Sequence, residues 1–162
     1  MATPVQYDTL YNIVQNNIHH PLTIQKIKTS YFILLSNLTK TEPLTNDVFI
    51  QQVTKIHEMG TIVIAYLKYT EYPQYIEIIG SGTLILEPKL IRGGKPVGHI
   101  EDIVVHPQHR SQGIATQILK KLTQYAQTNE CYKVILDCKE QVAKVYEKAG
   151  FEKHGLQMSK YF

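Results

Sequence analysis

The chain has 162 residues, 43% hydrophobic and 19% charged, enough for one domain with its own core and too few for two comfortable ones. Seventeen Lys+Arg against 14 Asp+Glu leave a formal charge of +3, too mild to argue for nucleic acid or a membrane surface, which call for a clustered basic stripe. No apolar run approaches the roughly 20 residues that span a bilayer, and MATPVQYDTLYNIV lacks the basic start and apolar block of a secretion signal, so the expected location is the cytoplasm.

Leu10, Ile13, Val14 and Ile18 recur at helical spacing, which predicts a helical extension over residues 1–20 ahead of a main domain at 21–162. His20-Pro21 marks a break, because the residue before proline avoids the helical region. LTIQKI (Leu22–Ile27) alternates like a strand. Ser30 is a candidate cap for a short helix through Leu38, and Thr45 or Asn46 for a second, with Val48, Phe49, Val53 and Ile56 inward and Gly60 at its end. A hairpin follows, with strands Thr61–Tyr69 and Tyr75–Leu86 around Glu71-Tyr72-Pro73. After the polar loop Glu87–Pro96 come a strand at Val97–His106, a helix with Ile114, Ile118, Leu119, Leu122 and Ala126 on one face, a buried strand at Tyr132–Cys138 and a short helix at Val142–Ala149. Alternation from Phe151 to Phe162 predicts a closing pair of strands. The order is that of a single-domain α/β protein, a mixed sheet flanked by helices with one parallel crossover. Cys131 and Cys138 are read as reduced, buried thiols.

HRSQGIATQILKKL (His109–Leu122) is odd as packing alone. Gly113 and Ala115 leave the start of a helix almost bare, although glycine costs a helix about 1 kcal/mol relative to alanine. The first N–H groups of a helix have no partners, and with the helix dipole they suit a phosphate. A glycine there also serves tight packing, so the pattern by itself leaves both readings open.

Arg110-Ser111-Gln112-Gly113-Ile114-Ala115 resembles the (Arg/Gln)-x-x-Gly-x-(Gly/Ala) motif with which the GNAT superfamily of N-acetyltransferases binds the acetyl-CoA pyrophosphate. Tyr146 stands where that fold places a tyrosine near the CoA sulfur. GHIEDIVVH, CYKVILDC, VYEKAGF and MSKYF, in this order, resemble the glucosamine-6-phosphate N-acetyltransferases of that superfamily. The likeness is dense over Val97–Phe162 and thins upstream to Leu35–Phe49 and Lys89–Arg92.

The resemblance implies a GNAT fold, mostly antiparallel in its sheet. It implies direct transfer of acetyl from acetyl-CoA to the amine of glucosamine 6-phosphate, with no acetyl-enzyme. Pantetheine would run along Ile103, Val104 and Val105, with the Ile103 N–H polarising the thioester carbonyl. The pyrophosphate would lie on Arg110, Ser111, Gln112, Gly113, Ile114, Ala115 and Thr116. Tyr146 would stabilise or protonate the departing thiolate. Glu101 and Asp102 would contact the amino sugar, Glu101 as the proton acceptor, with Asp137 orienting the amine. Thr39, Lys89, Arg92 and Lys160 would bind the acceptor and its phosphate.

Glu101 and Asp102 are neighbours on a strand, which predicts side chains on opposite faces. Two departures from the family stand out. Lys160 replaces an arginine that reaches a partner subunit, and Val142 replaces an asparagine that contacts CoA. A homodimer is expected from the family. The seven histidines show no metal-ligand spacing, so no metal is expected, and His99 reads as structural. Two other readings stay open: a peptide or small-amine acetyltransferase on the same scaffold, and a CoA-binding module without turnover.

Overall fold

Apolar residues separate into two groups on either side of a five-stranded sheet, in a computed structural model that describes residues 1–162. The strands are β1 (Gln6–Thr9), β2 (Gly60–Tyr69), β3 (Tyr72–Glu87), β4 (Val97–Val105) and β5 (Lys133–Leu136), and they lie in that order across the sheet. Pairing is antiparallel except between β4 and β5, which run parallel. The helices are α1 (Leu10–Gln15), α2 (Pro21–Leu35), α3 (Asn46–Met59), α4 (Ile114–Thr128) and α5 (Ala143–Lys148).

One face of the sheet is covered by α1, α2 and α3 through Leu10, Ile24, Ile27, Leu34 and Phe49, which meet Ile62, Ile64 and Ile78. The other is covered by α4, whose Ile114, Ile118, Leu119, Leu122 and Ala126 are all buried, as their spacing predicts. Each fully buried aliphatic side chain contributes about 1.5–3 kcal/mol, so these stripes fix how the helices dock.

The N-terminal segment departs from the all-helical expectation. Gln6–Thr9 is an edge strand paired with Val63–Tyr66, and the helix is only Leu10–Gln15, capped by Thr9 Oγ1 accepting the Asn12 N–H at 3.1 Å. Leu10 and Val14 are fully buried in the main core. LTIQKI is helical, not extended. Pro21 starts α2 at a position where its missing N–H costs nothing, and Ile24, Ile27, Tyr31 and Leu34 form a buried helical stripe that outweighs six residues of alternation. Ser30 is therefore no cap. It lies in mid-helix, buried, and its Oγ accepts the Ile78 N–H at 2.8 Å, tying α2 to β3. Thr45 does cap α3, accepting the Val48 N–H at 3.3 Å.

The expected closing strands are absent: Phe151–Phe162 has no regular structure, and Leu156, Met158, Tyr161 and Phe162 are each more than 90% exposed. Cys131 is half-buried and Cys138 exposed, both as free thiols, so burial holds only in part for one of them. No helix is long and apolar enough to cross a membrane.

Candidate active site

Strand β4 carries a bulge. Glu101 pairs with Thr83 and Val104 with Ser81, so Asp102 and Ile103 together face Gly82. Asp102 is the extra residue, with φ +53°, the left-handed conformation that aspartate tolerates better than most side chains. The insertion reverses the alternation of the strand. Gly98 and Ile100 face α4 before it, and Ile103 and Val105 face α4 after it, while Val104 joins the α2 side. Glu101 and Asp102 thus fail to take opposite faces. Glu101 follows Thr83 to the side of α2, and the Asp102 charge reaches the Tyr31 hydroxyl of α2. That hydroxyl, buried and bonded by Ser81 Oγ at 3.2 Å, is pushed up to about 12, mainly by desolvation.

The bulge also opens the sheet. Strand β5 pairs with β4 only over Val97–Ile100, leaving Glu101–Val105 without a neighbour on that side. His106 donates its N–H to Ile79 O of β3 at 2.8 Å, so Val105 is directed the other way, and its carbonyl instead accepts from Arg110 Nε at 3.2 Å. The two-residue period of a strand then sends the Ile103 N–H to the same open edge. A free donor on a rigid edge is what a thioester carbonyl needs as its negative charge develops.

Beyond β4 the chain makes a 3₁₀ turn at Pro107–His109 and then two left-handed residues, Ser111 (φ +61°) and Gly113 (φ +77°). The N–H groups from Ser111 through Thr116 find no acceptor in the chain, and the first helical bond of α4 is Gln117 N–H to Gly113 O at 3.1 Å. No atom lies within 4 Å of where a Gly113 Cβ would stand, so tight packing does not explain the glycine. Its φ and the open approach to the amides do. The donors fit a diphosphate, which Ser111, Gln112, Gly113, Ile114, Ala115 and Thr116 would hold. The Arg110 guanidinium is tethered beside them, at the end of β4.

Tyr146 of α5 is half-buried on the α4 side of the sheet, edge-on to Phe151 at 6.4 Å between ring centres. Burial, with a smaller effect of Cys138, raises its hydroxyl above the ordinary phenol value. Full transfer of that proton to a thiolate of reference pKa near 8.5 is then uphill by at least about 2 kcal/mol. Tyr146 is suited to stabilise the thiolate by hydrogen bonding rather than to give up its proton.

Asp102 and Asp137 are close enough to Glu101 that both raise its carboxyl, after desolvation, which is the larger cause. His99 lies two residues before Glu101 and lowers it. The cations are more dispersed. Lys89 is paired with Glu87, which also bonds His99 Nε2 at 2.5 Å. Arg92 lies over the Tyr132 ring at 5.8 Å, at the far end of β5 from Asp137. Thr39 is exposed in the connection after α2. Lys160 sits in the exposed tail over Phe162, with no hydrogen bond or ion pair. Thr39, Arg92 and Lys160 form no hydrogen bond or ion pair with Glu101, Asp102 or Asp137 within one chain. Val142 is exposed at the turn before α5. Grooves of about 400 and 480 Å³ lie elsewhere, against α2 and at the β2–β3 turn. His99 and Glu87 had no signal in sequence beyond the two-residue step from His99 to Glu101.

An opened parallel strand pair, a free edge N–H and a run of unpartnered amides at the next helix define an acyl-transferase scaffold. The chain belongs to the acetyltransferase (GNAT) family, whose model matches residues 32–151, and acetyl-CoA is the cosubstrate of that family. Its relatives narrow the comparison. A glucosamine 6-phosphate N-acetyltransferase of Trypanosoma brucei brucei is 37% identical over 130 residues, 80% of this chain and 86% of the relative. One from Dictyostelium discoideum is 35% identical over 93% of this chain and 94% of its own. The crystal structure of glucosamine-6-phosphate N-acetyltransferase from Arabidopsis thaliana superposes with a TM-score of 0.79 at 26% identity, covering 99% of both chains.

Proposed function

We propose that the chain transfers the acetyl group of acetyl-CoA to the amine of D-glucosamine 6-phosphate, giving N-acetyl-D-glucosamine 6-phosphate and CoA on the way to UDP-N-acetylglucosamine. The observation that carries this reading is the three-carboxylate cluster of Glu101, Asp102 and Asp137 beside the β4 opening, in a chain more than 30% identical to enzymes named for that reaction.

Pantetheine lies along Ile103, Val104 and Val105, and the Ile103 N–H polarises the thioester carbonyl. Asp137 orients the amine, and Glu101 accepts its proton. The amine nitrogen bonds to the carbonyl carbon, the tetrahedral intermediate collapses, and the thiolate leaves beside Tyr146. Transfer is direct, since neither Cys131 nor Cys138 has a general base within hydrogen-bonding distance. Asp102 contacts the sugar. Thr39, Lys89, Arg92 and Lys160 serve the acceptor and its phosphate, and the scatter of these groups in one chain supports a homodimer in which the exposed tail delivers Lys160 to the other copy. The expected location is the cytoplasm.

Release of CoA thiol is measured with glucosamine 6-phosphate, glucosamine and an N-terminal peptide. Turnover of the phosphosugar at least tenfold faster than of either alternative supports the reading, and equal rates with and without the phosphate overturn it. Sedimentation of the full chain against one ending at Gly155 tests the dimer.

A further inference from the structure

His99 and Glu87 lie on the same face of the sheet as Glu101 but have no part in the reaction described above. Glu87, at the end of β3, is paired with Val97, and His99 stands next to it on β4. His99 Nε2 is 2.5 Å from Glu87 Oε2, and Lys89 pairs with the other oxygen of the same carboxylate. A carboxylate held ionised by a lysine can only accept a hydrogen bond, so Nε2 carries the hydrogen, and in that tautomer Nδ1 is the nitrogen that accepts a proton. Nδ1 has no hydrogen bond in the chain. The ring is about one-third exposed, which leaves it open to solvent, and it is near enough to act on the Glu101 carboxyl. Residues two apart on a strand lie about 6.6 Å from each other on one face, a span that one water bridges.

The chemistry needs such a group. An amine of reference pKa near 8 beside Glu101, Asp102 and Asp137 is favoured as ammonium by three negative charges. A carboxylate of reference pKa near 4.3 lies almost four units below that amine, whereas an imidazole near 6.5 lies under two. Glu101 can take the proton in passing but is a poor place to leave it.

We propose that His99, oriented by Glu87, receives at Nδ1 the proton that Glu101 takes from the acceptor amine and releases it to solvent. This rests on the amine-acetylating reading above. One ammonium N–H bond breaks as its proton moves to the Glu101 carboxylate, and the second proton, shed as the tetrahedral intermediate collapses, goes to the departing thiolate. The proton on Glu101 then moves to Nδ1, and the resulting imidazolium is stabilised by Glu87 until water removes it. Both are positioning residues that act through Glu101. The charged groups that act along this line are Glu87 of β3 with Lys89 of the following loop at one end, and Glu101 with Asp102 of β4 and Asp137 after β5 at the other.

The test is kcat/KM for glucosamine 6-phosphate against pH, read by CoA thiol release, in the full-length wild type, His99→Gln and Glu87→Gln, with the melting temperature of each. The relay requires an open Nδ1, so wild-type activity falls on the acid side. His99→Gln lowers kcat about tenfold, leaves KM for acetyl-CoA unchanged and removes that acid limb. Glu87→Gln withdraws the charge that favours imidazolium, so the limb moves to lower pH. Variants that melt like wild type and keep its limb overturn the relay while the proposed function stands. A variant that loses activity with an unmoved limb also overturns it, because a purely structural role does just that. If one variant fails to fold, the limb of the other decides. Absence of turnover in wild type overturns the proposed function and the relay together.

Discussion

Between Val97 and Thr128 one uninterrupted stretch builds the donor side of the cleft, and it does so with backbone: the Ile103 N–H on an open strand edge, then unpartnered amides from Ser111 through Thr116. The proposed acceptor side would draw side chains from separated segments, with Thr39 after α2, Lys89 and Arg92 before β4, Asp137 after β5 and Lys160 in the tail. Backbone donors depend on conformation and tolerate many side chains. Side-chain donors depend on identity and on where several distant segments meet. The proposed donor half therefore lies in one stretch of chain, and the proposed acceptor half is spread over several.

The sharpest separation of the halves is Glu101→Gln. It removes the proton acceptor without touching the amides, so kcat falls about 10²–10³-fold while CoA affinity, read by calorimetry, is unchanged. The same variant carries a stability signature. The folded-state value of Glu101 is raised, so the folded protein holds this proton more tightly than the unfolded chain does. Its contribution is present at low pH and is lost as pH rises from the unfolded toward the folded value. Glu101→Gln consequently melts slightly higher than wild type at pH 7 and like wild type below the carboxylate range, by scanning calorimetry in salt-matched buffers.

Gly113→Val attacks the other half. A β-branched residue resists φ +77°, and its side chain projects into the space before the amides. CoA affinity falls about 100-fold, and stability drops by only about 1–2 kcal/mol because nothing is displaced. Equal CoA binding in that variant would place the diphosphate elsewhere.

Gly82→Ala probes the link between the halves. A Cβ there would stand 2.4 Å from Ile103 Cδ1 and 2.8 Å from Ile118 Cγ2, forcing α4 and the bulge away from β3. The cost is about 1–3 kcal/mol of stability by denaturant titration, with KM for acetyl-CoA raised as Ile103 shifts. The smallest effect belongs to Tyr146→Phe. Losing one hydrogen bond to a thiolate lowers kcat about tenfold and leaves the pH profile in place, since the phenol is neutral throughout the working range.

How much of this was legible beforehand follows the same division. The stripe of Ile114, Ile118, Leu119, Leu122 and Ala126 and the bare helix start at Gly113 were readable because helix period and backbone freedom are local properties. LTIQKI was misread because six residues of alternation also fit one side of a helix whose stripe continues to Leu34. The edge strand at Gln6–Thr9 was hidden for a different reason, since its partner lies near Val63 and pairing across that separation leaves no local mark. The bulge was equally silent. GHIED names the carboxylates but not the φ of Asp102, and only that reversal puts Glu101 and Asp102 on one side.

Sequence by itself determined the α/β class, the buried stripe of α4 and the bare start of that helix at Gly113, because period, glycine placement and motif order act over a few residues. Tertiary structure alone decided the face each carboxylate takes, the freedom of the Ile103 edge, and the pairing of His99 with Glu87 that leaves one ring nitrogen open. Those depend on register between strands, where a single inserted residue changes the side on which every later side chain falls.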